Sequence, residues 1–194
     1  MNLQPLFLSI QVAIFATLLA FVLGVAAAIL LADKRLPCRD LLDAIATAPM
    51  VIPPTVLGYY VLVALGRHSA IGAFWEGLCG SPIVFTRTGA VIAATIGSLP
   101  LIIRASRAAI EGVDPILVLA ARNLGASPLR VLFTIILPLA QRGLLAGVTL
   151  GFARALGDFG VTLMVAGDIP GETQTASLAI YDAIQSGQEK NAMA

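Results

Sequence analysis

The stretch Asp114–Pro138, DPILVLAARNLGASPLRVLFTIILP, decides how the rest of the chain is read. Its pattern predicts two short helices joined by a turn. Asp114 offers a carboxylate to the unpaired amides of an opening turn. Pro115 follows at the first helical position, where a missing N–H costs nothing. Gly125 predicts the stop of that helix, because glycine enters the left-handed conformation without a Cβ penalty. Ser127 and Pro128 repeat the cap-and-proline signal, and the second helix is expected to run until Pro138 ends it. Arginines flank this amphipathic hairpin, and hydrophobic runs lie on both sides of it.

Those runs set the class. Apolar residues make up 58% of the 194-residue chain and charged residues 12%, with a mean hydropathy of +0.93. Globular domains average about 45–50% apolar and about 25% charged residues. The composition therefore predicts an all-α, polytopic integral membrane bundle, bathed in membrane lipid. A net charge of +1 speaks against nucleic acid as a partner, which calls for a strongly basic surface. Cys38 and Cys79 have neither metal-ligand spacing nor partners for a disulfide framework. A membrane-embedded enzyme is the rival class. It would need a nucleophile–base pair or a metal set within the spans, and the single histidine, His68, reads as a solvated loop residue.

Taken in order, the chain is expected to form one transmembrane domain over 1–194, with spans at 6–32, 44–66, 88–104 and 141–166. The hairpin region is 105–140. A span needs about 20 apolar residues to cross about 30 Å of hydrocarbon, and residues 1–32 carry no charge. No Lys or Arg precedes this run, and it exceeds a typical signal-peptide core, so it is read as the first span. The third interval is short and reaches full width if Arg104 snorkels to the interface. Between the second and third spans, Phe74 and Trp75 suggest a short interfacial helix.

Two places inside the spans are candidates for a transport pathway. In APMVIPPT, Pro49, Pro53 and Pro54 remove backbone donors, which predicts either a broken helix lining a route or a kinked packed span. In ARALGDFG, Arg154 and Asp158 are four residues apart with Gly157 and Gly160 beside them. Ionisable groups at membrane depth usually face water, a partner charge or a pathway, and at this spacing the two can pair as a structural salt bridge. Gly143, Gly147 and Gly151 recur every four residues and predict close helix approach, either within the bundle or at a seam between two copies.

Charge orients the chain. Lys34, Arg35, Arg39, Arg104, Arg107, Arg122, Arg130 and Arg142, eight of the twelve basic residues, fall in the first connector and the hairpin loop. Two spans separate these loops, so both lie on one side, the cytoplasmic side by the positive-inside bias. The N-terminus, the loop holding Trp75 and the acidic stretch with Asp168, Glu172, Asp182 and Glu189 against Lys190 are then external.

The hairpin also carries a resemblance. Ala120, Ala121, Gly125, Ile135, Leu137 and Pro138 match the cytoplasmic E-A-A, Gly, I-x-L-P signature of ATP-binding-cassette importer permeases, with Leu119 where that signature has Glu. In that family the loop is a coupling helix docked in a groove of the ATPase subunit, which implies this role for Leu119, Ala120, Ala121, Gly125, Ala126, Ile135, Leu137 and Pro138. The run from Arg154 to Gly187 resembles oxyanion importer permeases, most of all molybdate permeases, with sulfate, thiosulfate and tungstate as alternative solutes. The resemblance implies a bacterial cytoplasmic-membrane homodimer working with two ATPase subunits and an external oxyanion-binding protein. Pro53, Pro54, Arg154, Gly157, Asp158 and Gly160 are the expected pathway or gate. The chain has no G-x-x-x-x-G-K-[ST] motif, so ATP and Mg are expected on the partner and no cofactor or metal here. The family also has a further transmembrane helix after this run, which these 194 residues do not contain.

Overall fold

Gln4–Ala32 forms one uninterrupted helix, α1, as expected of a long apolar run without internal proline or charge. The computed structural model describes residues 3–33 and 36–187. Lys34 and Arg35 of the connector and Glu189 and Lys190 of the C-terminal stretch lie outside these. The remaining elements are α2 (Arg39–Val51), α3 (Pro54–Leu65), α4 (Ala70–Cys79), α5 (Arg87–Glu111), α6 (Pro115–Asn123), α7 (Pro128–Val131), a π segment (Leu132–Ile136), α8 (Leu137–Leu156), α9 (Gly160–Ala166) and α10 (Ala176–Gln185). No strand occurs among the described residues.

Three helical stretches are long and apolar enough to cross a membrane: Gln4–Ala32, Arg87–Glu111 and Pro128–Leu156. A fourth crossing is available if α2 and α3, bent by 113° at Ile52–Pro53, act as one broken span. Pro49 is accommodated inside α2, and the break falls at Pro53 and Pro54. Consecutive prolines remove two donors and push the preceding residue into extended backbone, and Ile52 has ψ 132. The short helix expected near Trp75 is α4, capped by the Ser69 hydroxyl, which accepts from the Gly72 amide.

Three boundaries differ from the sequence reading. α5 continues past Arg104 to Glu111 and passes through Pro100 without ending. The helix that begins at Pro128 does not stop at Pro138 but runs to Leu156. The π segment explains this second difference. A proline lacks an N–H and clashes with the carbonyl four residues back, but here the turn before it is already widened, with the Leu137 amide reaching Leu132 O, five residues back. The third difference lies in 141–166, which is two helices. α8 ends at Leu156, Gly157 caps it, and Phe159 (φ −125°, ψ −59°) leaves helical geometry before α9 begins.

The core is made of close helix contacts between small residues. Ala13, Ala16, Ala20 and Ala28 of α1 and Ala90, Ala93 and Ala94 of α5 are buried. The glycine row of α8 packs on α5 of the same chain: a Cβ at Gly143 would sit 2.4 Å from Ala109 Cβ, at Gly147 3.1 Å from Ala105 Cβ, and at Gly151 2.6 Å from Ile102 Cδ1. Gly24 of α1 grips the same Ile102 from the other side, at 2.8 Å. Without a hydrophobic effect between helices in lipid, such van der Waals contact is what holds them.

Hydrogen bonds define two ends. At one, Gln4 donates to Gly171 O, Arg87 to Gly171 O and Glu172 O, and the Ala176 amide to the Ser9 hydroxyl. At the other, Arg39 holds Leu31 O and Glu111, and Arg107 holds Asp43 and Glu111. The first connector and the hairpin therefore share an end, as the charge pattern requires.

Candidate functional site

The hairpin is built as its local signals direct. Asp114 accepts from the Ile116 amide at 2.8 Å, and Ser127 accepts from the Arg130 amide at 3.4 Å. Gly125 has φ +82°, its amide bonds to Arg122 O, and the Ala126 amide bonds to Ala121 O. That pair of bonds is the Schellman closure, which satisfies carbonyls that a helix end otherwise leaves bare. Nothing lies within 4 Å of a Cβ placed at Gly125, so backbone conformation is the local constraint there.

No residue of α6 is buried. Leu119 is 58% exposed, Ile116 70% and Leu124 89%. Ala120 is exposed, and Ala121 and Ala126 are half-buried. Ile135 falls in the π segment, and Leu137 and Pro138 open α8. Helix α6 thus presents apolar side chains at the hairpin end of the bundle. Ile116 and Leu124 were not singled out in the sequence. The signal was present in the apolar residues all round a nine-residue helix, but length alone also allowed a lipid-facing piece.

The second site gathers the other candidates. The break at Pro53–Pro54 and the break at Gly157–Phe159 meet in a cavity of about 550 Å³ lined by Pro54, Thr55, Arg154, Gly157, Asp158, Phe159 and Gly160. A Cβ at Gly160 would meet Pro54 Cβ at 2.8 Å, so glycine is what lets the two breaks touch. Pro53, the N-cap of α3, precedes Pro54 and is not itself among the lining residues.

Arg154 and Asp158 do pair, at 2.8 Å between Nη1 and Oδ1. They are not on one continuous helix, because Asp158 stands beyond the end of α8. The Asp158 side chain is 1% exposed and that of Arg154 33%. Oδ2 accepts from the Thr162 amide at 3.0 Å and the Thr162 hydroxyl at 2.6 Å, and the Ser177 hydroxyl donates to Asp158 O at 2.9 Å. The carboxylate is thus fully partnered, as a buried charge must be. Arg154, by contrast, lines the cavity with a side chain that is 33% exposed. Gly97 of α5 lies beneath the pair, where a Cβ would stand 3.4 Å from Arg154 Nη2 and 3.5 Å from Asp158 Oδ1. Thr162, Ser177, Thr55 and Gly97 were not singled out beforehand. Only Thr162 had a local signal, four residues after Asp158; the others arrive through tertiary packing.

The comparisons with known proteins bear on the chain as a whole. The profile described as "Binding-protein-dependent transport system inner membrane component" matches residues 7–192. The chain belongs to this family. It is therefore a multi-pass membrane permease subunit of an ATP-binding-cassette transporter, working with ATPase and substrate-binding partners rather than as an enzyme. It is 44% identical over 183 residues to the "Molybdenum transport system permease protein ModB" of Escherichia coli strain K12, covering 94% of this chain and 80% of that one. The Haemophilus influenzae protein of the same name is 42% identical over 186 residues, covering 96% and 81%. Among solved structures, a chain of the MetNI methionine ABC transporter in inward-facing conformation superposes with a TM-score of 0.75 at 18% identity, covering 98% of this chain and 85% of that one. The likeness carries the fold.

Proposed function

We infer that this chain is the permease subunit of a molybdate importer in the bacterial cytoplasmic membrane. The observation that carries the substrate is the identity of 44% and 42% to molybdenum transport permeases along nearly the whole chain, far above that of the methionine transporter chain. Two copies assemble with two ATPase subunits, which bind ATP and Mg, and an external binding protein delivers the oxyanion. The N-terminus lies outside and the hairpin in the cytoplasm, supported by the basic residues gathered at the hairpin end.

In this reading α6 seats its exposed apolar tip in a groove of the ATPase subunit. Closure of the ATPase pair moves the hairpin, and the continuous helix 128–156 transmits the movement. A relay of this kind needs a rigid lever and a bistable interface. The lever is the helix joining the hairpin to the Arg154 cavity, and the two breaks supply the joint. The oxyanion passes between Pro53–Pro54 on one wall and Arg154, Gly157, Asp158 and Gly160 on the other.

The test is reconstitution of the complete transporter in proteoliposomes with binding protein outside and ATP inside. Molybdate should accumulate with ATP and resist competition by a tenfold excess of sulfate. Preferential sulfate accumulation would transfer the substrate assignment. No ATP-dependent accumulation of any oxyanion would sink the reading.

A further inference from the structure

We propose that the guanidinium of Arg154 is a transit site for the oxyanion, with Asp158 as the residue that positions it. This rests on the importer reading and names the group that meets the solute midway. Three observations carry it.

The first is depth. Gly97, against which the pair packs, is ten residues beyond Arg87 in the 25-residue helix α5. At 1.5 Å per residue the pair lies about 15 Å from one end of that helix and about 21 Å from the other, close to the bilayer centre. A cation there is costly and calls for a counter-charge or a function.

The second is the division of hydrogen bonds. Asp158 uses both oxygens on Arg154 and Thr162, and its side chain is 1% exposed. Arg154 spends one donor, from Nη1, on Asp158, and among the described residues no other hydrogen bond of its side chain is recorded. Its Nε–Nη2 edge remains, the fork that binds two oxygens of a tetrahedral oxyanion side by side. Asp158 and the floor at Gly97 fix the plane of that fork.

The third is the wall. Apart from Arg154 and the buried Asp158, the cavity lining is Pro54, Thr55, Gly157, Phe159 and Gly160. Arg154 is thus the one cation among the described residues lining this cavity, and the exposed Thr55 is the one hydroxyl residue in the lining. At about 550 Å³ the cavity is large enough for a small tetrahedral oxyanion together with water. The pairing with Asp158 also keeps the site weak. Passage requires binding favourable enough to enter and loose enough to leave, and a guanidinium already half-satisfied by a carboxylate meets both needs.

Removing Arg154 alone leaves a buried carboxylate without its cation, so the informative variant is Arg154→Gln combined with Asp158→Asn. Complete transporter carrying it is reconstituted with molybdate-loaded binding protein. Uptake is expected to fall at least tenfold and by a larger factor than binding-protein-stimulated ATP hydrolysis, and Arg154→Lys, which keeps the charge but not the planar fork, is expected to fall between wild type and the double variant. Wild-type uptake by the double variant would overturn the transit site and leave the importer reading standing. Parallel loss of uptake and stimulated hydrolysis, or failure of the double variant to assemble, would overturn it too by giving the pair a structural role. If the wild-type complex moves no molybdate, it is the importer reading that falls.

Discussion

At the scale of single residues, Gly125 is where backbone conformation and function separate most cleanly. Its φ of +82° is a region that a β-branched residue enters at a cost of about 1–2 kcal/mol, and no neighbour crowds the position. That is too little to unfold a bundle of apolar spans, yet enough to tilt the nine-residue helix that the proposed coupling role seats in a partner's groove. Gly125→Val should insert and dimerise normally but lose most of its binding-protein-stimulated ATP hydrolysis and uptake. Gly125→Asn should stay near wild type, because asparagine tolerates this conformation. Equal activity of the two variants would show that the turn has no coupling role. Gly125, Asp114 and Ser127 were legible in the sequence because caps and left-handed glycines are local devices, settled within four or five residues. Thr55 and Gly97 were not, because their roles exist only once two helix breaks and α5 converge on Arg154.

At the scale of elements, the α5–α8 contact decides how the bundle is held. The glycine spacing left open a seam between two copies, and the structure spends the row on Ala109, Ala105 and Ile102 of the same chain. Gly143 is the tightest point, since an added Cβ would overlap Ala109 at 2.4 Å and force the helices apart. Gly143→Ala should therefore cost about 1–3 kcal/mol, the usual range for overpacking. Unfolding in mixed micelles should show it as a lowered midpoint. Gly77→Ala, in α4 with nothing within 4 Å, should leave the midpoint unchanged or slightly raised by helix propensity and serves as the control. A Gly143→Ala midpoint equal to that of Gly77→Ala would contradict the packing described. The helix ends were less legible than the contacts. Pro138 looked like a stop because proline forbids an ordinary next turn, and a single widened turn defeats that rule. Gly157 looked like a loosened point in one span, whereas it ends α8 and opens the cavity.

At the scale of the whole molecule, the account depends on which end faces the cytoplasm. The polar clusters place Arg39, Arg107 and the hairpin at one end and Gln4, Arg87 and Gly171 at the other. Cys38 and Cys79 are both exposed; Cys38 precedes α2, Cys79 ends α4, and the α2–α3 pair lies between them. If that pair crosses the membrane, an impermeant thiol reagent on intact cells should modify Cys79 and spare Cys38. Labelling of Cys38 instead would invert the orientation and remove the hairpin from the ATPase side. The class was legible from composition and the hairpin from its caps. Orientation followed only statistically, because the positive-inside bias acts during insertion and leaves no mark on helix geometry. The most direct test of the central claim, that the Asp114–Pro138 hairpin is the part of this chain that the ATPase moves, is cross-linking in the assembled transporter. With Cys38→Ser and Cys79→Ser as background, Leu119→Cys is treated with a short bifunctional reagent against a cysteine in the groove of the ATPase subunit. The expected result is an efficient permease–ATPase cross-link that blocks uptake until it is cleaved. Cross-linking that never reaches the ATPase, or that leaves uptake intact, would contradict the claim.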